Sequence, residues 1–181
     1  MKQKQLCNAI SKIAWGYILL HVHINIGSFD ILPDWLAYIL FLQAIGVIAE
    51  EEASTKLLRP LAVALALWNG LSWLFGGVYS IEMIMNVLSL YFHFQFLTNL
   101  AGIACRYECK EEKRILSLRT ARTILSTIMA MPFLWEKYEI VTYILLAIGL
   151  VVVFWSCKVL FSFRNSLKEL IAEGEQSEVV V

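Results

Sequence analysis

Charge is scarce in this chain. Asp, Glu, Lys and Arg make up 17% of its 181 residues, against about a quarter in soluble domains. Hydrophobic residues make up 59%, and the mean hydropathy is +0.67. A globule of this size cannot hide that much apolar surface, so a free soluble domain is excluded and lipid becomes the natural solvent. Neither sign of charge is in excess: 15 basic and 15 acidic residues give a formal net charge of zero, which excludes a nucleic-acid partner.

Cysteines are too few and too scattered to form a framework. Of Cys7, Cys105, Cys109 and Cys157 only Cys105 and Cys109 lie close, spaced C-x-x-x-C, which fits neither a disulfide scaffold nor a zinc site. They read as small buried hydrophobes, so no metal and no cofactor is expected. Catalytic signatures are missing too: there is no H-E-x-x-H, no G-x-S-x-G elbow and no P-loop. Residues 51–56, EEASTK, resemble the E-E-x-x-x-R element of CAAX-type intramembrane proteases. However, Lys56 stands where arginine belongs, and the companion F-x-x-x-H pattern is absent. No catalytic residues are therefore assigned. Glu50, Glu51 and Glu52 read as a solvated helix end, although three acids there oppose the helix dipole. The lysines at the amino terminus and the apolar run after them lack a small-residue cleavage site beyond Leu20, which predicts an uncleaved first span.

What is present is a series of apolar runs. A membrane-crossing helix needs about 20 mostly apolar residues, and six segments come close: 6–26, 35–49, 61–79, 81–104, 120–135 and 140–163. The fold class expected is an all-α integral membrane bundle of six transmembrane helices. Residues 164–181 form a tail whose start, with Phe163, Leu167, Leu170 and Ile171 at helical spacing, is amphipathic; residues 174–181 read as loose.

Basic residues collect on the cytoplasmic side of membrane proteins. With six crossings and both termini cytoplasmic, 14 of the 15 cations of this chain fall on one side. They are Lys2, Lys4, Lys12, Lys56, Arg59, Arg106, Lys110, Lys113, Arg114, Arg119, Arg122, Lys158, Arg164 and Lys168, leaving only Lys137 outside. Five crossings fit less well, because Arg164 and Lys168 would change sides. Trp35, Tyr79, Trp135 and Tyr138 then fall near the outer boundary. The loop CRYECKEEKRILSLRTAR is read as an extension of one or both flanking helices, its basic face against anionic headgroups.

Two constellations stand out against this apolar background. Residues 21–35, HVHINIGSFDILPDW, hold two histidines, an asparagine and two aspartates at the outer rim, where residues 27–34 form the first external loop. The alternation of polar and apolar residues from His21 to Gly27 is an extended signature, so the first helix is expected to end near Leu20. Asp30 can cap the second helix with Pro33 in its first turn and Asp34 favoured by the dipole; the competing use is a solute or cation site at the rim. On the fourth span Glu82, Asn86, Ser89 and His93, spaced 4, 3 and 4, share one stripe. Such groups are expensive against lipid, so the stripe should face the bundle interior, either as the wall of a water-filled cavity or as hydrogen-bonding partners of neighbouring helices. Asn69, Ser72 and Gly76 on the third span offer a complementary face.

The pattern N-I-G-x-x-x-I-L-P-D-x-x-x-Y-I-L, here Asn25-Ile26-Gly27 through Ile31-Leu32-Pro33-Asp34 to Tyr38-Ile39-Leu40, resembles the amino-terminal hairpin of uncharacterised small multi-pass membrane proteins of Gram-positive, Clostridium- and Bacillus-like bacteria. The resemblance covers about residues 15–50 and departs at Ala37, where those relatives commonly carry glycine. It implies a bacterial plasma-membrane protein and brings no activity with it. Six spans in so short a chain also resemble, in size alone, the substrate-binding membrane subunits of energy-coupling vitamin transporters.

The functional expectation is binding or translocation of a small solute or ion from the outer side, with His23, Asn25, Asp30, Asp34, Glu82, Asn86 and His93 lining the site. The alternative is an accessory or scaffold protein acting on other membrane proteins through helix contacts and its basic loop. An intramembrane enzyme ranks third.

Overall fold

The computed structural model describes residues 2–21, 25–26, 29–30, 34–76, 78–130 and 139–179. Over these residues the chain forms six α-helices: α1 (Lys2–Leu19), α2 (Trp35–Glu51), α3 (Leu58–Phe75), α4 (Tyr79–Arg106), α5 (Glu112–Met129) and α6 (Glu139–Val179). A minimal ribbon interrupts them: β1 (Asn25–Ile26) pairs antiparallel with β2 (Phe29–Asp30), Asn25 opposite Asp30 and Ile26 opposite Phe29. A 3-10 turn, Ala53–Leu57, joins α2 to α3.

The fold is all-α, and three of its segments are long and apolar enough to cross a membrane: Ala53–Phe75, Tyr79–Arg106 and Tyr143–Ala172. The other helices differ for identifiable reasons. α1 includes Lys2, Lys4 and Lys12, α5 includes Glu112, Lys113, Arg114, Arg119 and Arg122, and the 17 residues of α2 extend only about 26 Å.

Each helix packs on the next, and α6 returns to α1, closing a ring. Neighbours run antiparallel: Lys12 reaches Gln43 across α1 and α2, while Ser11 and Trp15 meet Arg164 and Phe161 across α1 and α6. The start of α1 and the second half of α6 thus share one end of the bundle, here called the N-terminal end. The connection from α1 to α2 lies at the opposite, hairpin end.

Packing follows helical spacing. Leu6, Ile10, Ile13 and Tyr17 of α1 and Tyr38, Phe41, Ile45 and Ile48 of α2 are buried, and Phe92, Phe96, Leu100 and Ile103 of α4 close over them. Gly16 lets α1 and α2 approach, for a Cβ there would stand 2.8 Å from Cε1 of Phe41. Burial is uneven along the helices. In α4 every buried residue lies at or after Phe92, and in α3 none lies after Leu65. Along α3 and α4, among the described residues, the bundle is therefore packed shut at its N-terminal end and open at its hairpin end. Gly76, with φ of 81°, stops α3 there in a conformation that favours glycine.

The N-terminal end is tied by polar contacts as well. Arg106 donates to the carbonyl of Glu51 and lies 3.1 Å from the Glu52 carboxylate, so the acids at the end of α2 meet a cation that offsets the dipole rather than solvent alone. Asn99 of α4, buried, donates to Thr55 at 2.9 Å and accepts from Gln95 at 2.9 Å and Ser54 at 3.1 Å. Glu111, wholly buried, accepts from Ser162 and Ser166 of α6 at 2.8 and 3.1 Å.

Several expected boundaries shift. α1 ends at Leu19, where the alternating signature placed its end and short of the span bound at residue 26, and Asn25–Ile26 lie in the ribbon. Asp30 lies in β2 and so does not cap α2; Asp34 holds the N-cap position, without a capping bond from its carboxylate. α5 starts at Glu112 and ends at Met129, not at residues 120 and 135. α6 continues past residue 163 through Val179, taking in residues 174–179 that read as loose, and Leu167 carries its buried stripe onward. α5 takes in much of CRYECKEEKRILSLRTAR, as the expected helix extension would; the largest correction is that its Arg119 and Arg122 turn to neighbouring helices rather than to headgroups. Arg119 stacks 4.5 Å over Phe94 and donates to Thr98, and Arg122 is buried in the bundle. His23, Gly27, Pro33, Trp135, Lys137 and Tyr138 lie outside the described residues.

All four cysteines are free; Cys105 is exposed and Cys109 buried. Burial, reinforced by the nearby Glu111 carboxylate, pushes the Cys109 thiol above its ordinary value. Because the thiolate is the nucleophile, a raised value leaves less of it at a given pH. N-ethylmaleimide followed by peptide mass analysis is expected to find Cys105 modified first. Cys109 should react appreciably only above the pH at which an exposed thiol does; equal rates at pH 7 would contradict its placement.

Candidate functional site

The open end holds three cavities with shared lining residues, two of them polar and the third largely apolar. The first, of about 360 Å³, lies between α2, α3 and α4 and is lined by Asp34, Tyr38, Asn69, Ser72, Glu82, Asn86 and Ser89 with Leu20, Leu65, Trp68 and Met85. A second, of about 320 Å³, shares Asn86 and Ser89 with it and adds His93, Arg122 and Ser126. A third, of about 290 Å³, shares Arg122 and Ser126 and reaches His21 and the apolar face of α6. Each volume lies at or near the lower end of the range for small-molecule pockets, about 300 Å³.

The stripe on α4 divides by depth. Ser89 bonds Tyr38 Oη at 3.0 Å and His93 Nδ1 lies 3.3 Å from Tyr17 Oη, so these two tie α4 to α2 and α1. Glu82 and Asn86, higher on the same stripe, also line the cavities but form no side-chain hydrogen bond or ion pair among the described residues. Asp34, Glu82 and Asn86 therefore border one cavity, and Asn86 and His93 another. Asn25 and Asp30 are brought opposite each other in the ribbon; their side chains, and all of His23, lie outside the described residues.

Beneath the stripe lies a floor of aromatic rings. Tyr17, Tyr38, Phe41, Phe92 and His93 pack with ring centroids 5.1 to 6.1 Å apart, in the edge-on and tilted arrangements that rings prefer. Arg122 completes it, its guanidinium 4.6 Å over the Tyr17 ring and its Nη1 3.3 Å from His21 Nε2. His21 Nδ1 lies 2.9 Å from the Tyr17 carbonyl oxygen. A carbonyl can only accept, so that nitrogen carries the proton and Nε2 accepts from Arg122. At His93 the arrangement that leaves fewest polar groups unmet has Tyr17 Oη donating to Nδ1, which places the proton of His93 on Nε2.

Sequence reasoning missed Arg122, Tyr17 and Tyr38. The charge of its stretch groups Arg122 with the cations of the basic loop. The available signal was hydroxyl periodicity. Ser117, Thr120, Thr123 and Thr127 each bond the carbonyl four residues back, which lets a helix rich in serine and threonine satisfy itself against apolar neighbours. No metal-holding group of three or more His, Cys, Asp or Glu occurs among the described residues. No protein-family model, no curated protein and no solved structure matches this chain, so the site stands on its own geometry.

Proposed function

We propose that all six helices cross a bacterial plasma membrane with both termini in the cytoplasm, and that the open end binds a small solute or ion arriving from outside. The observation that carries this reading is the polar cavity in which Asp34, Glu82 and Asn86 meet above a packed aromatic floor. The Glu82 carboxylate and the Asn86 amide, which make no side-chain hydrogen bond or ion pair among the described residues, are costly in an apolar bundle unless water or a ligand serves them. The clustering of cations at the closed end supports the orientation, and the hairpin resemblance supports the bacterial membrane. An accessory scaffold would call for a filled bundle, which three cavities of about 290 to 360 Å³ do not favour.

Two measurements test the reading. A membrane-impermeant maleimide is expected to label Cys105 in inverted vesicles and not in intact cells; the reverse result inverts the orientation. Protein extracted from its native membrane is expected to release a small molecule on denaturation, identifiable by mass analysis. Glu82→Gln should carry it at about a tenth of the wild-type occupancy or less, the loss expected when one charge-assisted hydrogen bond is removed. A wild-type protein that releases nothing, or an occupancy unchanged in Glu82→Gln, would remove the site.

A further inference from the structure

Arg122 sits ten residues into α5, buried, in the second cavity of the bundle. A guanidinium in such a place normally has a carboxylate beside it. Here none pairs with it among the described residues. Its contacts are a ring face and the lone pair of an imidazole, both neutral. Because the Tyr17 carbonyl holds the proton of His21 on Nδ1, that ring brings neither a negative charge nor a competing donor. Arg122 thus brings a full positive charge into the bundle with no counter-charge in contact among the described residues.

Two hydrogen-bond donors in the same place are also unused. Arg122 Nε and His93 Nε2 are both buried and without a hydrogen-bond partner; both residues line the cavity of about 320 Å³ through other atoms, so a small turn of the side chains is what would present these donors to it. Buried donors are seldom left unmet, and each such case asks for an explanation. Nη1 is already engaged by His21, which leaves the Nε side of the guanidinium as the unused edge. That edge suits a planar two-oxygen acceptor, because a carboxylate can take parallel N–H bonds from an arginine fork. The rest of the wall is Leu90, Met129 and Ala130 with the hydroxyls of Ser89 and Ser126, a surface for a short hydrocarbon rather than for a hydrated dianion.

We infer that Arg122 and His93 form a subsite for the carboxylate of a small organic monoanion at the floor of the cavity. This deepens the solute-binding reading and rests on it for the route of entry, since Asn86 and Ser89 line both this cavity and the outer one. Arg122 supplies the charge and the bidentate edge, while His93 supplies a third donor whose direction is set by Tyr17.

The experiment is thermal unfolding of the full-length protein in detergent, titrated with sodium acetate or butyrate against sodium chloride and sodium phosphate at equal ionic strength. Acetate and butyrate are expected to raise Tm saturably above the chloride control. The shift should vanish in Arg122→Gln. In Arg122→Lys, which keeps the charge and loses the fork, half-saturation should need about tenfold more carboxylate. If Arg122→Gln does not fold, Ser126→Trp blocks the same cavity with the guanidinium retained and should also abolish the shift. No shift with either carboxylate, a shift undiminished in these variants, or an equal shift with chloride or phosphate overturns the assignment. The two readings fail separately. A native extract that carries an uncharged solute insensitive to Arg122→Lys sinks the subsite alone. An empty native extract together with an Arg122-dependent acetate shift sinks the outer-solute reading alone.

Discussion

Phe41→Ala is expected to lower the stability of the detergent-solubilised protein by about 3 to 5 kcal/mol, the range for removing a buried phenylalanine. Phe41 is fully buried, and its ring meets Tyr17, Phe92, His93 and Phe96 at centroid distances of 5.1 to 5.7 Å. Lipid is as apolar as this core, so the loss is not one of hydrophobic burial. What disappears is dispersion contact, which a void cannot return. The partner substitution Gly16→Ala destabilises by the opposite route, pushing a methyl group to 2.8 Å from the same ring. Combined with Phe41→Leu it should cost less than the sum of the two single changes. Unfolding by sodium dodecyl sulfate, followed by circular dichroism, reads all four proteins. A cost below about 1 kcal/mol for Phe41→Ala would mean that α1, α2 and α4 do not converge on this residue.

Asn99→Leu should cost about 3 kcal/mol, for a different reason. The amide is nearly isosteric with leucine, so volume is preserved. What is lost is the junction by which α4 holds the 3-10 turn between α2 and α3: the bond to the wholly buried Thr55, and the acceptor shared by Ser54 and Gln95. Each donor or acceptor stranded in a dry interior costs about 1 to 3 kcal/mol. The double change Asn99→Leu with Thr55→Val removes both partners of one bond and should recover part of the loss. If the double variant is no more stable than the single one, the network is not shielded from water.

These two sites sit at the packed end of the bundle, and the contrast with the open end explains what could be read in advance. The apolar runs and the polar stripe of Glu82, Asn86, Ser89 and His93 were visible because helical spacing is a local property. The stripe's inward direction followed from the expense of such groups in lipid. Its division into an upper half without side-chain hydrogen bonds among the described residues and a lower, hydrogen-bonded half was not visible. That depends on Tyr17 and Tyr38, more than 50 residues away in sequence from their partners. Asp30 shows the same limit at short range, for whether it or Asp34 begins α2 depends on a ribbon that takes up the earlier aspartate.

Composition and periodicity determined by themselves that this chain is all-α, with long apolar helical runs and little charge, because burial preference and helical pitch act residue by residue. Tertiary structure alone decided where α5 lies. A helix with five charged residues cannot be placed by its own hydropathy. Its two inner arginines find a phenylalanine face, a tyrosine face, a hydroxyl and an imidazole on helices far off in the chain. Those partners turn Arg122 from an apparent loop cation into a charge at the centre of the bundle, because the cost of burying an ion is set by what surrounds it and not by its neighbours in sequence.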